Sequence, residues 1–337
     1  MKSDYAVFVG RFQPFHNAHL RIIQEASKQS EKIIIVIGSH RSPLSVKNPW
    51  TCDERSSMIL DAVGGELGID PYIIHVKDYL YNDTMWLTSV QNQIAKIVGE
   101  SNSVNLYGHF KDDSSYYLNF FPRWELMKQP NYYGINATDI RYSLFEDRHD
   151  WKKKSPESIH KDIISLKDSQ VYESLLSEYK YVKDYKKSWE NAPYVPTFVT
   201  VDSVVVQDGH VLLIKRGCNP GKGKYALPGG FLNPEEFIFR GAIRELKEET
   251  KIDMAVPVLE HAFKEVHTFD HPKRSLRGRT ITHAHFFKLE SGHPLPNIKA
   301  DDDASEALWV PINELARFEE NFFEDHLGII EYFVYKY

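Results

Sequence analysis

Glu236, Glu245, Glu248 and Glu249 stand at fixed offsets behind a Gly229-Gly230 pair. On a helix, positions i, i+3 and i+4 share a face, so Glu245, Glu248 and Glu249 are expected to converge. Three like charges on one face repel one another, and a hard, oxygen-seeking cation such as Mg²⁺, or Mn²⁺ in its place, relieves that repulsion. The chemistry such a site supports is metal-assisted cleavage of a phosphoanhydride. A second group lies at the N-terminus, where Gly10, Arg11, Phe12, His16 and His19 fall at a strand-to-helix turn. Such a turn offers backbone N–H groups and the positive end of a helix dipole, both of which favour phosphate. His16 and His19, three residues apart, can face one ligand, and Arg11 adds fixed positive charge. Further along, Thr138 is placed to cap a helix over Asp139 to Glu146, from which Arg141 would project towards a triphosphate. Alone, these groups read as a solvated acidic face, surface histidines and an ordinary cap; their placement on the elements argues against that.

Those elements alternate in the first half of the chain. Strand patterns at Tyr5 to Val9, Lys32 to Gly38, Tyr72 to Val76 and Ser103 to Tyr107 are separated by helical patterns at His19 to Ser30, Asp53 to Val63 and Met85 to Gly99. This alternation predicts a parallel sheet with right-handed crossovers and ligands beyond the carboxyl ends of its strands. Residues 150 to 193 read as polar helices and a connector. Asn191 to Pro196, with two prolines in four residues, is the expected boundary, giving domains at 1–188 and 197–337 joined by 189–196. The second half opens on a hairpin, Phe198 to Val206 and Val211 to Lys215, turned by Asp208-Gly209. The carboxylate helix follows, then strand patterns at His261 to Val266 and Ile281 to Leu289 and a last helix near Phe318 to Tyr335, an α+β arrangement.

At 337 residues about two domains are expected. Net charge is −6, which gives no global basic field for nucleic acid. No run approaches the roughly 20 apolar residues of a membrane span, and the N-terminus lacks a signal-peptide pattern. The two cysteines, Cys52 and Cys218, have no metal-like spacing and read as free thiols in a reducing, cytoplasmic setting.

The stretch from Gly230 to Ile252 resembles the Nudix box, Gly-x5-Glu-x7-Arg-Glu-U-x-Glu-Glu-x-Gly-U, with U a large apolar residue. Gly230, Glu236, Arg244, Glu245, Leu246, Glu248, Glu249 and Ile252 match; Lys251 stands where the family has Gly, a costly choice if φ is positive there. The resemblance implies a metal site of Gly230, Glu245, Glu248 and Glu249, oriented by Arg244, with Glu249, Glu265 or Glu306 as the base. Phe269-Asp-His-Pro272, Arg277-Gly-Arg279 and Asp301 to Ala304 with Glu306 and Trp309 resemble the ADP-ribose pyrophosphatase-like branch, and imply phosphate or ribose contacts for Arg277 and Arg279. Gly10 to His16 resembles the archaeal-type nicotinamide mononucleotide (NMN) adenylyltransferases of the nucleotidyltransferase superfamily, with Ala18 in place of the glycine of His-x-Gly-His. Ile135 to Arg141 resembles their Ile-Ser-x-Thr-x-x-Arg segment, with Asn136 in place of Ser. By the same resemblance Asn48 lies in the loop after the second strand, and Asp78, Asn82 and Trp86 receive the nicotinamide nucleotide. The Trp86 indole would stack on the pyridinium, although a core Trp is the rival reading. Gly108 is implied to lie by adenine. The implied fold is a Rossmann-like α/β domain followed by an α+β Nudix domain. The implied activities are NAD synthesis from NMN and ATP, releasing pyrophosphate, and ADP-ribose hydrolysis to AMP and ribose 5-phosphate. The alternatives are nicotinate mononucleotide as substrate, another nucleoside diphosphate derivative at the Nudix site, or a Nudix domain that only senses ADP-ribose. Oligomeric state is left open.

Overall fold

Apolar, β-branched runs form the central strands of the first unit. In the computed structural model, which describes residues 2–99, 102–110 and 113–337, β1 (Ser3–Gly10), β2 (Ser30–Ile37), β3 (Tyr72–His75), β4 (Val104–Gly108) and β5 (Glu125–Lys128) build one sheet in the order β3-β2-β1-β4-β5. All its pairings are parallel. Strands buried on both faces carry continuous rather than alternating apolar residues, and Ile33 to Ile37 are accordingly 3% exposed or less. Helices α1 (Asn17–Gln29), α2 (Cys52–Leu67) and α3 (Asp83–Val98) make the crossovers. Val90, Ile94 and Val98 of α3 pack against Val7, Ile34, Val36 and Leu106 of the sheet. The strand order reverses at β1, which has β2 on one side and β4 on the other. Ligand crevices of open α/β sheets lie at such a point, beyond the carboxyl ends of the strands. Gly10 ends β1 and Gly108 ends β4, so both expected glycines flank it.

The chain then runs through α4 (Ala137–Phe145), α5 (His160–Lys167) and α6 (Gln170–Lys187). It divides into two units, Met1–Leu176 and Ser177–Tyr337. The division therefore falls inside α6, upstream of the proline-rich stretch marked from sequence, because the later turns of this helix pack with the second unit. Tyr185 of α6, and Trp189 just beyond it, contact Phe198 at 5.7 and 5.5 Å between ring centroids.

The second unit is a mixed sheet. Its path is β10 (Phe263–Phe269), β11 (Arg279–Lys288), β6 (Thr197–Gln207), β7 (His210–Arg216) and β12 (Ala304–Pro311), with β8 (Tyr225–Ala226) on β7 and β9 (Gly229–Phe231) on β6. The Asp-Gly hairpin forms as expected, with φ 45° at Asp208 and 73° at Gly209. Helix α7 (Ile238–Thr250) lays Ile243 and Leu246 against Val205, Leu212 and Phe287. It ends at Lys251, whose φ of 42° and ψ of 34° are left-handed, the conformation that makes glycine the easier residue there. Helices α8 (Val256–Ala262) and α9 (His326–Val334) complete the unit. Two sequence expectations are corrected. The strand read from His261 starts at Phe263, because α8 runs to Ala262, and the last helix is confined to His326–Val334.

Candidate active sites

At the end of β1 the backbone turns through Phe12, which has φ 52°. The Phe12 ring folds back over Gly10, where a Cβ would lie 2.8 Å from it. A side chain at position 10 would displace that ring. Phe12 is 2% exposed, so its side chain offers no surface to a substrate. Its ring instead meets His19 edge-on at 4.9 Å, and Phe15 and Phe8 add further contacts. The sequence placed Phe12 against substrate; the structure makes it the support of the histidine. His16 is the N-cap residue of α1, and its ring stacks on His19 at 3.4 Å and 18°. The two imidazoles thus sit together at a helix N-terminus.

Two buried arginines lace the surrounding loops. Arg55, 1% exposed, donates to the carbonyls of Thr51, Arg11, Gly38 and Ser39 at 2.6 to 3.1 Å. Arg141 donates to Val46 O and Gln13 O and, at 3.1 Å, to Thr138 Oγ1. The sequence predicts an Arg141 that projects towards a triphosphate; in the structure it is 7% exposed and three of its donors are engaged within the protein. A guanidinium has five N–H donors, so capacity for a phosphate is left. Burial, with Arg11 nearby, pulls its pKa down to about 10. Thr138 does not cap α4. Asn136 does, accepting from Asp139 N at 2.9 Å, because the N-cap side chain must reach the third helical residue.

The other expected contacts divide. Asn48 has a buried Oδ1 without a hydrogen-bond partner among the described residues. Both oxygens of Asp78 are taken by Ser39, from its N–H and its hydroxyl, which ties the loop after β3 to the end of β2. Asn82 is the N-cap of α3, accepting from Met85 N at 3.0 Å. Trp86 is half-buried, edge-on to Tyr117 at 5.2 Å and Phe121 at 6.3 Å, so the core reading holds for one side of the indole. Gly108 is buried, and a Cβ there would meet Leu118 at 2.5 Å. That contact accounts for the glycine through packing.

In the second unit, Arg244 is the hub. Its Nε and Nη2 hold the two oxygens of Glu236 at 2.8 Å each, and its Nη1 reaches Glu245 and Glu248, also at 2.8 Å. Bidentate Arg–carboxylate pairing is the strongest of these contacts, and it holds the Glu236 carboxyl below its usual range. Glu249 turns the other way, accepting from Gly229 N at 2.8 Å. The three helix glutamates therefore do not close on one point as the spacing alone implied, since Arg244 draws Glu245 and Glu248 to itself. Burial, opposed by that Gly229 N–H and reinforced by Glu245, pushes the Glu249 carboxyl up to about 8. Burial also raises Glu245. Gly230 makes room for this cluster, since a Cβ there would lie 2.6 Å from Glu245 Oε1. Hard oxygen donors that repel one another behind a glycine cradle, Glu245 and Glu249 buried and Glu248 more exposed, fit a divalent cation.

Arg277 and Arg279 separate. Arg277 lies over the Phe231 ring at 4.8 Å, next to the Gly229-Gly230 turn, with a buried Nε that lacks a hydrogen-bond partner among the described residues. Arg279 is held by Asp270, through its backbone carbonyl and its carboxylate. Of the three candidate bases, Glu265 is bound by Lys336 and Tyr337 and drawn below its usual pKa, and Glu306 is paired with Lys215. Sequence reasoning missed a buried polar layer. Asp202 accepts from Thr282, Arg274 forms a two-bond pair with Asp325 at 2.9 Å, and His326 Nδ1 accepts from Leu227 N at 3.0 Å. Isolated polar residues inside strand and helix patterns gave no signal for them.

Fold and sites together define a nucleotidyltransferase-type domain joined to a Nudix domain. The cytidylyltransferase-like family matches residues 7–143 and the NUDIX domain family residues 196–333. A nicotinamide/nicotinic acid mononucleotide adenylyltransferase of Acinetobacter baylyi is 37% identical over 53% of this chain and 95% of its own length. An ADP-ribose pyrophosphatase of Methanocaldococcus jannaschii is 36% identical over 37% of this chain and 68% of its own. A crystal structure of a bifunctional NMN adenylyltransferase/ADP ribose pyrophosphatase from Francisella tularensis, complexed with AMP and a Mn ion, is 36% identical. It covers 99% of both chains with a TM-score of 0.93. The chain belongs to the family of bifunctional NMN adenylyltransferase/ADP-ribose pyrophosphatases.

Proposed function

We infer that the chain carries both activities of its family, each in its own unit. The observation that carries this reading is the presence of both site frameworks in one chain: the stacked His16–His19 pair at the end of β1 and the Arg244-centred carboxylates behind Gly230. In the first site NMN and ATP bind beyond the carboxyl ends of β1 and β4. The NMN phosphate attacks the ATP α-phosphorus, pyrophosphate leaves and NAD forms. No protein nucleophile is needed. His16, His19, Arg11 and the remaining donors of Arg141 position the phosphates and offset charge in the transition state. Gly10 and Gly108 line the crevice, with Asn48, Asp78, Asn82, Trp86 and Thr138 around it.

In the second site ADP-ribose is hydrolysed to AMP and ribose 5-phosphate. Glu245, Glu248 and Glu249, with Gly230 beside them, would hold Mg²⁺, which supplies Lewis-acid activation of the diphosphate when bound. Arg244 keeps the carboxylates in place. Of the three candidate bases Glu249 alone belongs to the carboxylate cluster, whereas Glu265 is bound by Lys336 and Tyr337 and Glu306 is paired with Lys215. Arg277 contacts the substrate, and Arg279 shapes the loop that presents it. The two activities divide between the units Met1–Leu176 and Ser177–Tyr337, and a cytoplasmic setting suits two free cysteines. Product analysis with NMN plus ATP, and separately with ADP-ribose, each with Mg²⁺, tests the assignment. Absence of either product set removes the corresponding activity. Competition between NMN and nicotinate mononucleotide then sets the nucleotide preference.

A further inference from the structure

Beside the first site, three soft or borderline metal donors meet. One nitrogen of His40, Cys52 Sγ and one nitrogen of His75 lie within 4.8 Å of one another. They come from three separate elements: the loop after β2, the first turn of α2 and the last residue of β3. Spacings of 12 and 23 residues match no metal motif, so the group is not legible from the sequence.

The surroundings orient these groups. His40 N donates to Val76 O at 3.0 Å, which holds the loop beside the end of β3. The residues flanking His40, Ser39 and Arg41, both have φ 54°, a conformation that non-glycine residues keep only when their surroundings enforce it. The His40 and His75 rings are nearly parallel, at 20°, with centroids 5.3 Å apart. Ser56 Oγ donates its single proton to Cys52 O at 2.9 Å and lies 2.8 Å from His75 Nε2. His75 must then be the donor in that second bond, which leaves a lone pair on its other nitrogen. Such outer partners fix the tautomer and orientation of metal-binding histidines.

We propose that His40, Cys52 and His75 form a binding site for a zinc-class divalent ion, separate from the carboxylate site of the Nudix unit, with water in the fourth position. Two nitrogens and a thiolate match Zn²⁺ rather than Mg²⁺ or Ca²⁺. Bond lengths of about 2.0 and 2.3 Å put ligand atoms ~3.5 Å apart in a tetrahedron, so the donors have to close by ~1 Å. On binding, the Cys52 thiol releases its proton to solvent as the S–Zn bond forms. Burial of that thiol favours its protonated form, and the incoming cation offsets this. The ion would pin the start of α2 to the ends of β2 and β3, the junction that Arg55 also clamps.

Cobalt titration of the metal-stripped full-length protein tests the site. Co²⁺ on the Nudix carboxylates has only oxygen ligands, whereas Co²⁺ on Cys52 gives a sulfur-to-metal charge-transfer band in the near ultraviolet. The expected result is a band that saturates at one equivalent and is competed away by Zn²⁺. It should be lost in Cys52→Ser, weakened at least about tenfold in apparent affinity in His75→Gln, and unchanged in Cys218→Ser. A missing band, or one that survives Cys52→Ser, overturns the proposal. Should Cys52→Ser fail to fold, X-ray absorption at the zinc edge of the loaded wild type decides alone. One sulfur at about 2.3 Å with nitrogens at about 2.0 Å supports the site, and an all-oxygen shell refutes it.

Discussion

At the residue scale, the proposed hydrolytic site is a few atoms gathered around Arg244. Gly230→Ala puts a methyl 2.6 Å from Glu245 Oε1 and must displace that carboxylate. We expect ADP-ribose hydrolysis to fall by about tenfold or more while NAD synthesis is unchanged, as assayed on one preparation. Lys251 tests the opposite direction. Its left-handed backbone costs a non-glycine residue roughly 1 kcal/mol, and its ion pair with Asp301 is exposed and therefore weak. Lys251→Gly should stabilise the second unit by up to ~1 kcal/mol in urea denaturation; a clear loss would mean that the Asp301 contact matters more than the backbone. Most of this cluster was legible in the sequence, because helical periodicity puts Glu245, Glu248 and Glu249 on one side of α7. What periodicity could not reveal is which way each side chain turns. Arg244 captures two of the carboxylates and Gly229 N–H takes the third. The same limit explains Thr138 and Asn136, two capping residue types two positions apart, of which only geometry selects Asn136.

At the element scale, the buried side chains that join segments carry the load. Arg55 satisfies four backbone carbonyls from three segments. Arg55→Ala leaves them buried without it and should destabilise the first unit by at least ~3 kcal/mol in chemical denaturation. Helix α9 brings a pH response. His326 accepts from Leu227 N, and burial pushes its pKa down to about 3, against roughly 6.5 in an unfolded chain. Between those values the unfolded chain binds a proton that the folded one does not. Stability is therefore intact above about pH 6.5 and declines as pH falls towards 3, by at most ~1.4 kcal/mol per pH unit. His326→Asn retains an acceptor that does not titrate, so its urea midpoint should depend less on pH in this window. Equal slopes would assign the acid sensitivity elsewhere. Strong patterns made β1, β2, β4 and the β6–β7 hairpin readable. The charged four-residue β5 and the two- and three-residue β8 and β9 were missed, since none carries enough apolar or alternating sequence to stand out; the edge strand β12 was missed as well, although residues 307–310 are an apolar run. Helix α8 blurred into the strand after it because Val256 and Val258, good strand residues, flank Pro257 at its start.

At the scale of the whole molecule, two chemistries fall to two units of one chain, each with its own core and its own polar framework. The phosphate site depends on the switch point of a parallel sheet, and the hydrolytic site on a helix docked behind a glycine turn. We expect neither to use a residue of the other. His19→Ala should then abolish NAD formation and leave hydrolysis at the wild-type rate. The most direct test of the central claim is ADP-ribose turnover with Mg²⁺ by wild type, His19→Ala and Glu249→Gln side by side. We predict AMP and ribose 5-phosphate from the first two at equal rates, and a loss of about 10²-fold or more in Glu249→Gln. Undiminished hydrolysis by Glu249→Gln, or its loss in His19→Ala, would contradict the account.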